Sequence, residues 1–451
     1  MPVSTSDIDI TEPFPSIRPS LNLNFARSRA LDPRLTLTRA SNATYVGRDG
    51  LIKIAGENEP RFDHDPVTLE SLGLLIEESR INQHGRHDFA SGWALNNASF
   101  STGISDPEGG TNARKLVVGG STNGTAACFI TDNTSISSGV TYTQSLWAKE
   151  NTAGNFYSTV QIAPSTGFAS EYRNFNLSNG TLGDGNIPES DCKIEEYPNG
   201  WYRVSVTRTA TSTISGRMAI AIVDSPTSGR LASISTGSAN NDGIYIWGVQ
   251  LEVGLYPTSL IRTTGSSETR EQDETKLVGE EFKKVFDTSF AEFSAVMDYN
   301  NIETVKTGLS NGVFIMWGES TNFDNRLSVS SDNDAVNTAV RVRAFGGGQG
   351  IFSNNDQVEA SSQAATQKFA FSYSVPNYGA SGTRKWAFSF SGEAVDLITN
   401  NNGSTIPSWT RLGIGINPTR DDESGGKLHV KRLAIYPKAL TDAQLQLLSS
   451  P

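Results

Sequence analysis

Reactive and metal-binding side chains are scarce: the 451 residues include only two cysteines and four histidines. Two cysteines cannot staple a chain of this length. Cys128 and Cys192 both sit in strand-like surroundings, AACFI and DCKIEEY, and read as buried free thiols. The familiar catalytic signatures are missing too, with no G-x-x-x-x-G-K-[ST], H-E-x-x-H, G-x-S-x-G or C-x-x-C. No apolar run approaches the roughly 18 residues that a bilayer span needs. The start, MPVSTSDIDITEPFPSIRPS, has neither a basic n-region nor an apolar h-region, so it is not a signal peptide. Basic charge is also short, because 37 Lys+Arg against 48 Asp+Glu give −11. Without any basic run, such a surface repels phosphate backbones and anionic lipid, which excludes nucleic acid and membrane insertion.

What is present suits short strands and many turns. Hydrophobic residues are only 36%, Gly numbers 42, and Ser, Thr and Asn abound, whereas long helices would need more Ala, Leu, Glu and Lys. The length favours two or three domains. Residues 1–20 carry Pro13, Pro15 and Pro19 and no periodic apolar face, which predicts an extended docking arm. Residues 21–92 form a leader, in which ATYVGRDGLIKIA predicts a hairpin turning at Gly47–Gly50. LESLGLLIEESRI fits a short helix or a strand, and is read as a strand because Gly73 interrupts the helical spacing and LLI is continuous. Residues 93–263 are consistently β. In WYRVSVTRT, Trp201, Arg203, Ser205 and Thr207 share one face while Tyr202, Val204, Val206 and Arg208 share the other. Residues 264–281 are polar and charged, a linker, and residues 282–451 give a second β region ending in ALTDAQLQLLS. There Thr441 is a plausible N-cap and Leu440, Leu445 and Leu448 an apolar edge, the single helix expected. The fold class expected is all-β: two β-sandwich (jelly-roll) domains in tandem, with an extended N-terminal arm and one short C-terminal helix.

Candidate chemistry is thin. His84, His87 and Asp88 in QHGRHDF come nearest to a metal constellation, but Gly85 argues against the fixed turn it would need, so no metal is assigned. GGGQG at Gly346–Gly350 opens no helix, and DNDAV at Asp332–Val336 lacks the glycine and distal glutamate of a calcium loop. Paired acids such as Glu77/Glu78 and Glu195/Glu196 would point to opposite strand faces, as solvent charges. No catalytic residue and no cofactor is assigned, and the chain reads as a non-enzyme. Of seven tryptophans, Trp201 and Trp247 are expected in the core. Trp93 (SGWALNN) and Trp409 (SWTRLG, with Arg411 following) have polar neighbours and are the candidate glycan platforms.

NGWYRVSVTRTA, followed by DGIYIWGVQLEVGLYPTSLIRTTGSSETREQD, resembles the closing portion of a β-sandwich that recurs in bacteriophage and prophage tail and fibre proteins. That domain looks like carbohydrate-binding modules of the jelly-roll type. The leader, from LNLNFARSRALDPRL to LESLGLLIEES, resembles the segment that precedes it in such proteins, so the likeness covers about residues 20–275. RLGIGINP…GGKLHVKRLAIYPKALTDAQLQLLS is similar to the last strands of concanavalin/laminin-G-like lectin domains, over a shorter stretch. The resemblance implies a virion structural protein, a fibre, spike or decoration assembled in a bacterial cytoplasm. It would be bound to other virion proteins through the arm and would touch host-surface carbohydrate. A purely architectural virion protein and a glycan depolymerase are the alternatives.

GIYIWGVQLEV at Gly243–Val253 starts apolar on both faces, with Gln250 and Glu252 continuing the Ile244/Ile246 face. One sandwich buries one strand face, so the surplus predicts cover from elsewhere, as does the row Phe369, Phe371, Tyr373 with Trp386, Phe388, Phe390. A homo-oligomer follows, a trimer on the analogy with phage fibres, with cover inside one chain as its rival.

Overall fold

A computed structural model describes residues 17–119, 127–151, 157–234, 242–286, 292–303, 313–318, 326–334, 337–346, 349–350, 366–374, 384–400, 409–415 and 427–450. Most of the arm (1–16), the centre of GGGQG and the end of DNDAV lie outside these residues.

Strand alternation builds the middle sandwich. One antiparallel sheet runs in the order Cys192–Tyr197, Trp201–Thr209, Thr141–Lys149, Gly243–Val253, Ala113–Val118, Ala98–Ile104. The other runs Thr181–Gly185, Arg173–Asn176, Thr159–Pro164, Met218–Ile222, Cys128–Thr131, Ala94–Asn96. Val204, Val206, Leu146, Ile162, Phe175 and Ile220 fill the space between, the arrangement in which each sheet buries one face. Trp201 and Arg203 face the other way, as the alternation predicts.

Strand Gly243–Val253 departs from simple alternation. Its pairing with Thr141–Lys149 slips between Ser145 and Trp147, and Gly248 there adopts φ 65°. One extra residue at such a bulge reverses the parity of everything beyond it. Ile244 and Ile246 therefore share the interior with Val249 and Leu251, not with Gln250 and Glu252 as expected. Gln250 and Glu252 instead extend the outer face of Tyr245 and Trp247. Both are fully buried, and they bind the segment that follows. Ile261 N–H donates to Gln250 Oε1 (2.6 Å), Thr258 N–H to Glu252 Oε2 (3.0 Å), and Gln250 Nε2 to Glu252 Oε2 (2.6 Å).

That outer face is covered within the chain. Trp147, Trp201 and Trp247 pack with Ile52 of the leader hairpin and with Leu260 of the returning segment. Phe369, Phe371, Tyr373, Trp386, Phe388 and Phe390 are likewise buried in one intrachain core. The surplus apolar surface from which a trimer was inferred is thus closed by one protomer, and that argument for an oligomer falls.

The leader does not pack as a unit of its own. Strand Leu21–Asn24 pairs with Lys427–Tyr436 (Leu21 opposite Ile435), and Ser71–Ile76 pairs with the same strand (Leu74 opposite Val430). Leu35–Thr38 pairs with Glu274–Val278, which continues to Arg411–Ile414. Leader leucines and Phe25 accordingly share a core with Phe293, Trp317 and Leu433. Residues 264–281, expected as a linker, hold two paired strands and start a second helix, Gly279–Val285, whose Phe282 and Val285 are buried. The C-terminal helix Asp442–Ser449 forms with the expected Thr441 cap, closed as a box by Gln444. It lays Leu445 on Ala370 and Ala387. The middle sandwich is therefore inserted into a sandwich built from both chain ends. Among the described residues, no helix is long and apolar enough to cross a membrane.

The chain enters and leaves the insert through one neck. Arg80–Asn82 pairs with Glu268–Arg270, and Arg86 bridges Thr264. Beneath it lies a buried ionic cluster. Arg61 donates to Glu77 (2.7 Å) and Asp273, Arg39 to Asp273 (2.7 Å), and Arg270 to Glu77 and to Ser259 Oγ (3.0 Å). Glu78 turns the other way, to Arg80 (2.6 Å) and the Tyr256 hydroxyl (2.7 Å). Glu77 and Glu78 lie just past the strand Ser71–Ile76 and bind different partners, and both are buried. The expectation of solvent charges fails because arginines from leader and neck supply the counter-charge. Glu195 and Glu196 are exposed.

Candidate functional site

Three chain segments converge above the neck. The incoming segment brings Arg86, His87 and Asp88, and the outgoing one Arg262, Thr263 and Thr264. The third is the loop Asp106–Asn112, whose sequence DPEGGTN is a turn signal. Asp106 holds it from inside: its carboxylate accepts from the backbone N–H of Glu108 (3.0 Å), Gly110 (2.8 Å) and Asn112 (2.8 Å). Ile52 N–H, from the leader hairpin, donates to Pro107 O (3.0 Å). Glu108 and Asn112 are thereby presented on a fixed backbone.

The segments enclose an open pocket of about 230 Å³, lined also by Trp247. His87 is locked between elements. Its backbone N–H donates to Thr263 Oγ1 (2.9 Å), its ring Nδ1 lies 2.8 Å from Thr263 O and 3.0 Å from Thr263 N, the tautomer deciding which it bonds, and its ring meets Trp247 edge-on at 6.1 Å. Burial pushes its pKa down, so the imidazole is neutral at pH 7.

Glu108 is unusual. Its Oε1 is buried without a hydrogen-bond partner, and Arg262 Nε stands 3.4 Å away, near enough for attraction but not for a hydrogen bond. Burial raises its carboxyl pKa, with Arg262 opposing and Asp106 adding to the shift. Arg262 is 40% exposed. The half-buried Arg86 guanidinium has neither an ion pair nor a hydrogen bond among the described residues. The pocket thus combines donors and acceptors that have few protein partners, on a rigid frame, beside an aromatic ring. Such a set fixes a small polar ligand.

The residues singled out in the sequence are placed elsewhere. Trp409 is only 3% exposed and packs in the C-terminal core against Phe293, so it offers no face to a sugar. Thr410 and Arg411, which follow it, lie at the start of a strand beside this buried ring. Arg411 is half-buried at the start of its strand in the same sandwich. Trp93 is half-buried in the other sandwich, its ring against Phe89 (4.8 Å) and His84 (5.0 Å). The two tryptophans belong to different cores and form no joint platform. His84 and His87 diverge as well, His84 Nδ1 meeting Asp132 Oδ2 at 2.9 Å. Among the described residues, no group of three His, Cys, Asp or Glu is placed to hold a metal ion. Cys192 is a buried free thiol, and burial raises its pKa to about 11. Of the pocket residues, His87 and Asp88 stood out in the sequence as candidate chemistry and Trp247 as core.

No protein-family model matches the chain, and no curated protein does. Among solved structures, the CBM40 of Ruminococcus gnavus IT-sialidase bound to alpha2,3 sialyllactose is similar over 36% of this chain and 83% of that one, at 12% identity and TM-score 0.26. Trypanosoma rangeli sialidase in complex with 2,3-difluoro-KDN is similar over 75% and 60%, at 10% identity and TM-score 0.29. The CBM22-1–CBM22-2 tandem of Paenibacillus barcinonensis Xyn10C gives 80% and 98%, at 7% identity and TM-score 0.24. Overlaps this low carry no argument about the chain, whose site is read from its own residues.

Proposed function

We propose that the chain is a non-enzymatic structural appendage of a bacteriophage particle whose middle sandwich holds a host-surface glycan in the pocket at the neck. The observation that carries the binding part is the pocket itself: Arg86 and Arg262, from the incoming and outgoing segments, have spare hydrogen-bonding capacity together with Glu108, which stands on a loop fixed by Asp106. Sugars present hydroxyls to such groups, while Trp247, 1% exposed, closes the pocket wall without offering a free ring face. The particle assignment is supported by the sequence resemblance of residues 20–275 to phage tail and fibre proteins. On this reading the arm at residues 1–20 contacts other virion proteins, and the protein is found on the virion.

An array of bacterial capsule and lipopolysaccharide glycans tests the binding. The full chain is expected to bind, and Glu108→Ala/Asn112→Ala to lose binding while melting like the parent. Absence of binding at high protein concentration would overturn this reading in favour of pure architecture. Release of new reducing ends from a bound glycan would replace it with hydrolysis.

A further inference from the structure

The glycan reading leaves open which sugars the pocket selects, and its unused hydrogen-bonding groups bear on that. A guanidinium carries five N–H donors in a planar fork. Arg86 spends none of them on the described residues, and Arg262 only approaches Glu108 at 3.4 Å. Acceptors in the pocket are more fully engaged. Asp88 Oδ1 accepts from Ala90 N–H (3.1 Å), and His87 Nδ1 is taken by Thr263. The exception is Glu108: its Oε1 is buried towards Arg262, but the side chain is 16% exposed and its Oε2 accepts no hydrogen bond among the described residues. A ligand that completes this set brings a planar, charged double acceptor for the guanidinium forks and a hydroxyl for Glu108. A carboxylate meets the first need because two parallel N–H···O bonds match its geometry. The pocket, about 230 Å³, is smaller than the roughly 300–1,000 Å³ of sites for drug-sized ligands. It suits one sugar ring, not a threaded chain.

We propose that the pocket takes a single acidic pyranose unit, at a glycan end or side branch, with its carboxylate on Arg86 and Arg262 and a ring hydroxyl on Glu108. This rests on the glycan-binding reading and narrows it. Arg86, which has no partner among the described residues, is the specificity determinant, and the two guanidiniums balance the carboxylates of Asp88 and Glu108 in the lining, so the pocket is less acidic than the protein as a whole.

Matched sugars separate the two levels of the claim. Galacturonate with galactose, and glucuronate with glucose, differ only in the carboxylate, and each is titrated calorimetrically into the full chain. At least one acid is expected to bind about tenfold or more tighter than its neutral partner. Arg86→Gln should remove that preference without changing the melting temperature, and Arg86→Lys, which keeps the charge but not the fork, should restore it only in part. Equal binding of acid and neutral sugar would overturn this inference and leave the glycan reading intact. So would failure of all four sugars while arrayed glycans bind. Failure of sugars and array together would remove both.

Discussion

Replacing Glu77 by Gln probes whether the ionic cluster under the neck holds the two sandwiches together. Glu77 is fully buried and accepts from Arg61 (2.7 Å), Arg270, Ser259 N–H (2.9 Å) and Ser259 Oγ (2.6 Å). Gln keeps the volume and an acceptor for Ser259. It leaves Arg39, Arg61 and Arg270, all buried, with Asp273 as the remaining carboxylate of the cluster. Removing one partner of a buried pair costs about 3–5 kcal/mol, because the other charge stays behind without compensation. The exposed pair Lys53–Asp49, 2.7 Å apart with side chains 38% and 53% exposed, should by contrast yield at most about 1 kcal/mol when Lys53 becomes Ala.

The pH dependence supplies an independent reading. Burial alone would raise the Glu77 pKa, but Arg270 and Arg61 outweigh it and hold the carboxyl well below its ordinary value. A carboxyl lowered on folding contributes stability above its unfolded pKa, about 4.3, and that contribution is lost as pH falls toward the folded value. Gln does not titrate, so the gap between parent and Glu77→Gln should be full at pH 7 and shrink in acid. Urea unfolding followed by tryptophan fluorescence measures it. A difference under about 1 kcal/mol at neutral pH, below the range for a buried pair, or one that does not shrink on acidification, would refute the reasoning.

Gly248→Ala places a Cβ 2.6 Å from the Trp147 ring at φ 65°, so it should cost more than about 1 kcal/mol; an unchanged thermal midpoint would deny the bulge. Light scattering of the purified protein should give a mass near 48.5 kDa, since the surplus apolar face is covered within the chain. A trimer mass would move the assembling surface to residues outside those described.

What the sequence revealed was local. The hairpin at 43–55 closes over a few residues, with Ala43 opposite Ala55 and Val46 opposite Ile52. The C-terminal cap is likewise a four-residue signal, and the alternation of Trp201–Thr209 needs only its own pleat. What it hid was distant. Leu21 pairs with Ile435, and nothing in LNLN names a partner at the far end of the chain, so the leader passed for a separate unit. The buried ionic cluster was hidden for the same reason, because Glu77 finds Arg61 and Arg270 only when leader and neck meet. The site suffered most. Polar neighbours in sequence pointed to Trp409, although exposure is set by the sheet that covers a residue. Arg86, Glu108 and Arg262 sit in three segments, and only the turn signal DPEGGTN hinted at the loop.

The bulge at Gly248 links the fold to the site. Without it, Gln250 and Glu252 would point between the sheets, where an unpaired carboxylate is costly. With it, they face outward beside Trp247 and fasten Thr258 and Ile261, the start of the return that carries Arg262 and Thr263 back to His87. Beyond the bulge, Val249 N–H donates to His87 O (3.0 Å) and Leu251 O accepts from Gln83 N–H (2.8 Å), so the incoming segment is laid along the same strand. Trp247 then meets the pocket from one side and packs on Trp147 from the other, ring centroids 5.4 Å apart. One inserted residue thus sets which tryptophan borders the pocket and how the returning segment that carries Arg262 is fastened.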